Sequence, residues 1–117
     1  MKIKDIKFPT PLSEIKDIEN DNIDVSIELE DGIVYTVVVS TPKNLIWYME
    51  KENKNYIEAS PPDIIVRTLT EENIREAVES YAEGDGYWLK LYYLAGVKEG
   101  VFETKNLNKL VKYIQED

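Results

Sequence analysis

Glu72, Glu76, Glu79 and Glu83 recur at i, i+4, i+7 and i+11, the spacing that gathers side chains along one face of a helix. Carboxylates in such a row repel one another and attract a basic surface. Arg75, within reach of Glu71 and Glu79, relieves only part of that repulsion. A second acidic group, Asp17, Glu19, Asp21 and Asp24, follows a polar stretch behind Pro9 and Pro11. These groups lie in the two segments that hold the charge. Residues 14–31 carry eight acids against Lys16, and residues 71–85 carry six against Arg75, in a chain of 117 residues with net charge −9.

The sequence contains no histidine and no cysteine. That excludes a Ser-His-Asp relay, a His-liganded metal, a thiol nucleophile, a disulfide framework and iron–sulfur or zinc-knuckle sites. Asp17, Glu19, Asp21 and Glu28 fall at positions 1, 3, 5 and 12 of a calcium loop, but Asn22 stands where glycine is required. A strand pattern also follows where that loop needs a helix. Gly84-Asp85-Gly86 opens a nucleotide-binding glycine pattern that fails at Leu89, and no phosphate-cradling loop is present. Two carboxylates could run a hydrolase if one were withdrawn from water into a cleft. Nothing in the pattern singles out such a pair. No catalytic residue, metal or cofactor is therefore expected, and an acidic chain repels nucleic acid and anionic membrane while attracting a basic protein.

The aromatic clusters supply the other half of an interface. Trp47-Tyr48, Tyr87-Trp88 and Tyr92-Tyr93 contain both tryptophans and half of the eight tyrosines. Neither a helix nor a strand turns two adjacent residues inward, so one of each neighbouring pair should reach the surface. Trp47 and Trp88 are the candidate anchors, since exposed Trp and Tyr are favoured at protein interfaces.

The elements that would position these residues follow from periodicity. Lys2 to Phe8, stopped by Pro9, suits an edge strand, and Thr10 to Asn22 reads as a loop. From Ile23 the period is two, with Ile23, Val25, Ile27 and Leu29 on one face and Asp24, Ser26, Glu28 and Glu30 on the other. Asp31-Gly32 signals a hairpin, and Ile33 to Ser40 reads as a central strand covered on both faces. Thr41-Pro42 caps a short helix, apolar almost all round, that fades at Asn53. Pro61-Pro62 is a stop, and Ile64-Ile65-Val66 a buried strand. Thr70 caps a second helix with Glu71 and Glu72 in its first turn, an apolar stripe of Ile74, Ala77, Val78 and Tyr81, and Gly84 at its end. Tyr87 to Ala95 fits either helix or strand, with the helix preferred for Asp85 as cap and Gly96 as stop. Glu99 to Thr104 is a candidate strand, and Leu107, Leu110, Val111 and Ile114 mark a last amphipathic helix.

Several of these stretches resemble a family of small immunity proteins from bacterial polymorphic-toxin systems. They are Asp31 through Leu45, Asp63 to Arg67 leading into Ile74 to Ala77, Trp88 through Gly96, and Val101-Phe102-Glu103. The resemblance spans about Ile23 to Glu103, with the strand into Thr41-Pro42 as its sharpest piece. It implies a non-catalytic protein that binds and neutralises a cognate toxin made by the same cell. It supplies no catalytic residues, and it favours the helix for Tyr87 to Ala95.

The expectation is a single α+β domain over 1–117, with a mostly antiparallel sheet opening on a hairpin and helices packed on one face. The start lacks an apolar signal region and no run is long enough to span a membrane, which points to a bacterial cytoplasmic protein. Its partner would be a basic protein, rather than nucleic acid or membrane. That partner would meet Asp17, Glu19, Asp21 and Asp24 or Glu72, Glu76, Glu79 and Glu83, with Trp47 or Trp88 as anchor. The alternatives are a carboxylate-based hydrolase or small-molecule-binding domain, and a structural subunit that forms a homodimer.

Overall fold

The computed structural model describes residues 1–58, 63–95 and 102–116. Its order is β1 (Ile3–Lys7), β2 (Asn22–Leu29), β3 (Val34–Ser40), α1 (Pro42–Glu52), β4 (Asp63–Ile65), α2 (Glu71–Ala82), α3 (Tyr87–Ala95) and α4 (Thr104–Glu116), with a 3₁₀ turn at Leu12–Glu14. The four strands form one sheet in chain order. β1 and β3 flank β2 antiparallel, and β4 lies parallel to β3. A parallel return cannot be made by a tight turn, and α1 lies in the crossover. The architecture is α+β with a mostly antiparallel sheet.

Alternation places the core. Ile6, Ile23, Val25, Ile27, Leu29, Tyr35, Val37, Val39 and Ile64 line one face of the sheet, where they meet Leu69, Ile74, Val78, Ala82 and Leu89. α2 turns Ile74, Val78 and Ala82 inward, as its apolar stripe requires, with Ala77 and Tyr81 packed at the margin. Thr41 and Thr70 cap α1 and α2, their side chains accepting from Asn44 N at 3.3 Å and Asn73 N at 3.1 Å.

Several expectations change. β3 is central but only partly covered on its second face, where Val34 is 52% exposed and Thr36 meets solvent while Val38 is half-buried and Ser40 buried. β4 behaves likewise as an edge strand: Ile64 is buried and Ile65 is 57% exposed. The apolar run in α1 does not fill the core; its one buried residue is Asn44, while Ile46 and Trp47 are exposed. Of the strand expected over Glu99 to Thr104, residues 99–101 lie outside the described residues, as do Pro61 and Pro62. Phe102 and Glu103 form a turn and Thr104 opens α4.

Candidate partner-binding surface

Because Ile74, Val78 and Ala82 face the sheet, the 3.6-residue period turns Glu72, Glu76, Glu79 and Glu83 outward, and all four are exposed. The structure thus gathers them on one ridge. Arg75 Nε is 3.0 Å from Glu71 Oε1, so the cation is held at the ridge's N-terminal flank. Glu76 also borders a shallow depression with Arg67, Asn73, Ala77 and Ser80. Beside it, Ser80 and Tyr81 of α2 form a groove with Trp88 and Tyr92 of α3. Trp88 is 54% exposed, with Tyr87 edge-on at 5.3 Å and Tyr92 at 6.0 Å between ring centroids. Ser80 links ridge and anchor, since it lines both the depression that Glu76 borders and the groove of Trp88, whereas Glu79 and Glu83 border the cleft against β1. The sequence pattern marks neither Ser80 nor Tyr92 as a site residue, although Ser80 stands four residues beyond Glu76 on the same side of the helix.

The other acidic group is built differently. Asp17 Oδ1 accepts from Glu19 N at 3.0 Å, and Asp21 Oδ1 accepts from Asn22 N at 2.8 Å, so both carboxylates shape the loop. Glu19 Oε2 is 3.9 Å from Lys43 Nζ. Asp24 is not part of that loop but belongs to β2, in a cross-sheet row with Val38 and Asp63 on the face opposite the core. What fixes the loop is amide chemistry. Buried Asn44 donates through Nδ2 to Asn20 Oδ1 at 3.2 Å and accepts from Asn22 Nδ2 at 2.9 Å, while Thr41 Oγ1 donates to Glu19 O at 2.7 Å. The Asn20-Asp21-Asn22 run reads only as loop; its partner Asn44 sits a hairpin away in the first turn of α1, where no local pattern points to it.

Trp47 is 43% exposed but already engaged, since Lys51 Nζ lies 4.9 Å from its ring centroid and Tyr48 packs edge-on at 5.0 Å. Among the described residues no group of three or more Asp or Glu could hold a metal ion. No helix among them is long and apolar enough to cross a membrane. Compared with family models, curated proteins and solved structures, the chain finds no match in any of the three.

Proposed function

We propose that this chain is a non-catalytic binding protein that captures a basic protein surface on the α2 ridge, with Trp88 as its anchor. The observation that carries the reading is a row of four exposed carboxylates on one helix face, joined through Glu76 and Ser80 to the Trp88–Tyr92 groove. The carboxylates steer a cationic partner and set the register, and the aromatic groove supplies apolar area that loses water on contact. The repulsion stored along the ridge is released when cations arrive, which adds to the preference for a basic partner. The loop acids are a weaker choice because their charge is committed to turn hydrogen bonds and Lys43.

The role we assign to this capture is the immunity type: occlusion of a cognate bacterial toxin in the cytoplasm. The hydrolase alternative needs a carboxyl withdrawn from water, and the acids bordering the cleft between β1 and α2, Glu30, Glu79 and Glu83, are all exposed. The test is capture of a partner from native lysate at low and high salt by the wild type, by Glu76→Gln/Glu79→Gln and by Trp88→Ala. A basic partner lost at high salt and lost by both variants supports the reading. Binding indifferent to salt and to both variants overturns it. Growth rescue in cells expressing the captured partner separates immunity from other binding roles.

A further inference from the structure

Among the described residues, α3 and α4 each carry an apolar face that is largely exposed. α3 reads Tyr-Trp-Leu-Lys-Leu-Tyr-Tyr-Leu-Ala, one charge in nine residues, yet it buries only Leu89. A helix apolar nearly all round belongs inside a protein. Tyr87, Leu91 and Leu94, at i, i+4 and i+7, form a stripe on the side away from Leu89, with Tyr87 58% and Leu94 41% exposed. α4 is sharply amphipathic and buries no residue; Leu107, Leu110, Val111 and Ile114 are 39%, 54%, 54% and 69% exposed. The rim of that stripe is neutral, Asn106, Asn108 and Gln115, while Lys105, Lys109 and Lys112 occupy the opposite face.

The uncovered surface is large enough for an interface. A folded monomer of 13.6 kDa exposes about 6,600 Å², whereas this chain exposes 8539 Å². Its radius of gyration is 16.5 Å, against about 13 Å for a compact chain of this length. A standard protein interface removes about 800 Å² from each partner, and the surplus here is more than twice that.

We infer that these faces are covered by a second copy of this chain, the α4 stripe of each copy seated on the α3 stripe of the other. Seating α4 on α3 covers both uncovered stripes, whereas pairing α4 with α4 would leave that of α3 in water. α4 carries three lysines against Glu116, all on the face away from its stripe, while the remainder of each copy is strongly acidic, so the basic helix is attracted to the acidic body of its partner as a whole. The exchange is reciprocal, so it closes at two copies. It uses Tyr87, Leu91 and Leu94 rather than the Trp88–Tyr92 groove, which adjoins the stripe only where Tyr87 meets Trp88, and its observations stand independently of the proposed partner.

The absence of cysteine makes the test clean, because Leu94→Cys and Leu110→Cys each introduce a unique thiol. Light scattering on the wild type should give twice 13.6 kDa. Leu110→Glu/Ile114→Glu should halve that mass and keep the circular-dichroism signal of the core, since α4 has no buried residue within its own chain. Mixing the Leu94→Cys and Leu110→Cys variants should give, on oxidation, an interchain disulfide that joins position 94 of one copy to position 110 of the other. A monomer at all concentrations overturns the inference. So does a double variant, L94C/L110C, that closes its disulfide within one chain, which would seat α4 on its own α3. Crosslinking of Leu110→Cys only to itself overturns it as well.

Discussion

Tyr35 Oη donates a 2.9 Å hydrogen bond to Asp31 Oδ2, tying the start of β3 to the turn before it. The same carboxylate accepts from Ile33 N through Oδ1 at 2.9 Å. The Tyr35 ring also meets Tyr93 of α3, which packs edge-on at 5.5 Å between centroids. One phenol therefore joins the hairpin turn, the core and the helix that borders the candidate interface.

This junction titrates at both ends of the pH scale. The Ile33 amide holds the Asp31 carboxyl below its ordinary value, against a smaller opposing effect of burial, with the Tyr35 hydroxyl and the Lys90 charge helping. Burial first, then the hydrogen bond and charge of Asp31, push the Tyr35 phenol from 10.0 up to about 12. For Tyr35 the neutral form is favoured in the fold, so its contribution is complete below pH 10.0 and is lost as pH rises through about 12. For Asp31 the charged form is favoured, so its contribution is present above the ordinary 3.8 and is lost as pH falls through the lower folded value. Titration of phenolate absorbance should show a late step for Tyr35, absent in Tyr35→Phe and moved back toward 10.0 in Asp31→Asn. The stability gap between wild type and Asp31→Asn should narrow on acidification. A gap that stays constant with pH would remove the linkage.

Gly86 begins the entry into α3 with φ +69°, and a Cβ there would come 3.2 Å from Leu29 Cδ1 in the core. Gly32 in the hairpin has φ +81° with open space around it. Backbone strain should make Gly32→Ala cost about 1 kcal/mol, whereas Gly86→Ala adds overpacking and should cost about 2–4 kcal/mol. Urea denaturation of the two variants checks the ranking. Equal losses would mean that Leu29 yields freely.

Thr41 is fully buried and works twice, accepting from Asn44 N and donating to Glu19 O. Thr41→Ala should cost about 1–2 kcal/mol, and Thr41→Ser much less, since the hydroxyl survives. Asn44→Ala should cost about 1–3 kcal/mol by stranding the Asn20 and Asn22 amides. Both variants loosen the same tie between loop and helix, so the double variant should lose less than the two separately. Denaturant midpoints of the wild type, Thr41→Ala, Asn44→Ala and the double variant measure that coupling.

Where one residue's surroundings are set by its sequence neighbours, the pattern is enough to read. The hairpin, the Thr41 and Thr70 caps, the inward stripe of α2 and the outward line from Glu72 to Glu83 all follow from periods of two and 3.6. Coverage by distant elements leaves no such trace. Val34 and Ile65 look like core residues by composition, and they are exposed because, among the described residues, no helix covers them. Tyr87 to Ala95 is apolar in both periods, so the preference for a helix rests on its flanks, and the structure shows that helix with Leu89 alone buried. Asn44, the polar pivot of the loop, sits beside an apolar run that points the other way.

The ridge itself separates structural from binding roles. Glu72 lies in the first turn of α2, where the helix dipole favours a negative charge, but Glu76, Glu79 and Glu83 face like charges three or four residues away. Glu83 also sits at the C-cap, where the dipole opposes an anion. Neutralising Glu76 and Glu83 together should therefore stabilise the fold, by about 0.5–1 kcal/mol, with the gain shrinking as salt screens the repulsion. If the ridge only keeps the protein in solution, Glu76→Gln/Glu83→Gln is more stable and otherwise unchanged. If it receives a basic partner, the same variant is more stable and associates more slowly, with the loss concentrated in the association rate at low salt. Thermal denaturation and binding kinetics on one preparation distinguish the two outcomes. A variant that is less stable than the wild type would show that these carboxylates hold contacts within the fold.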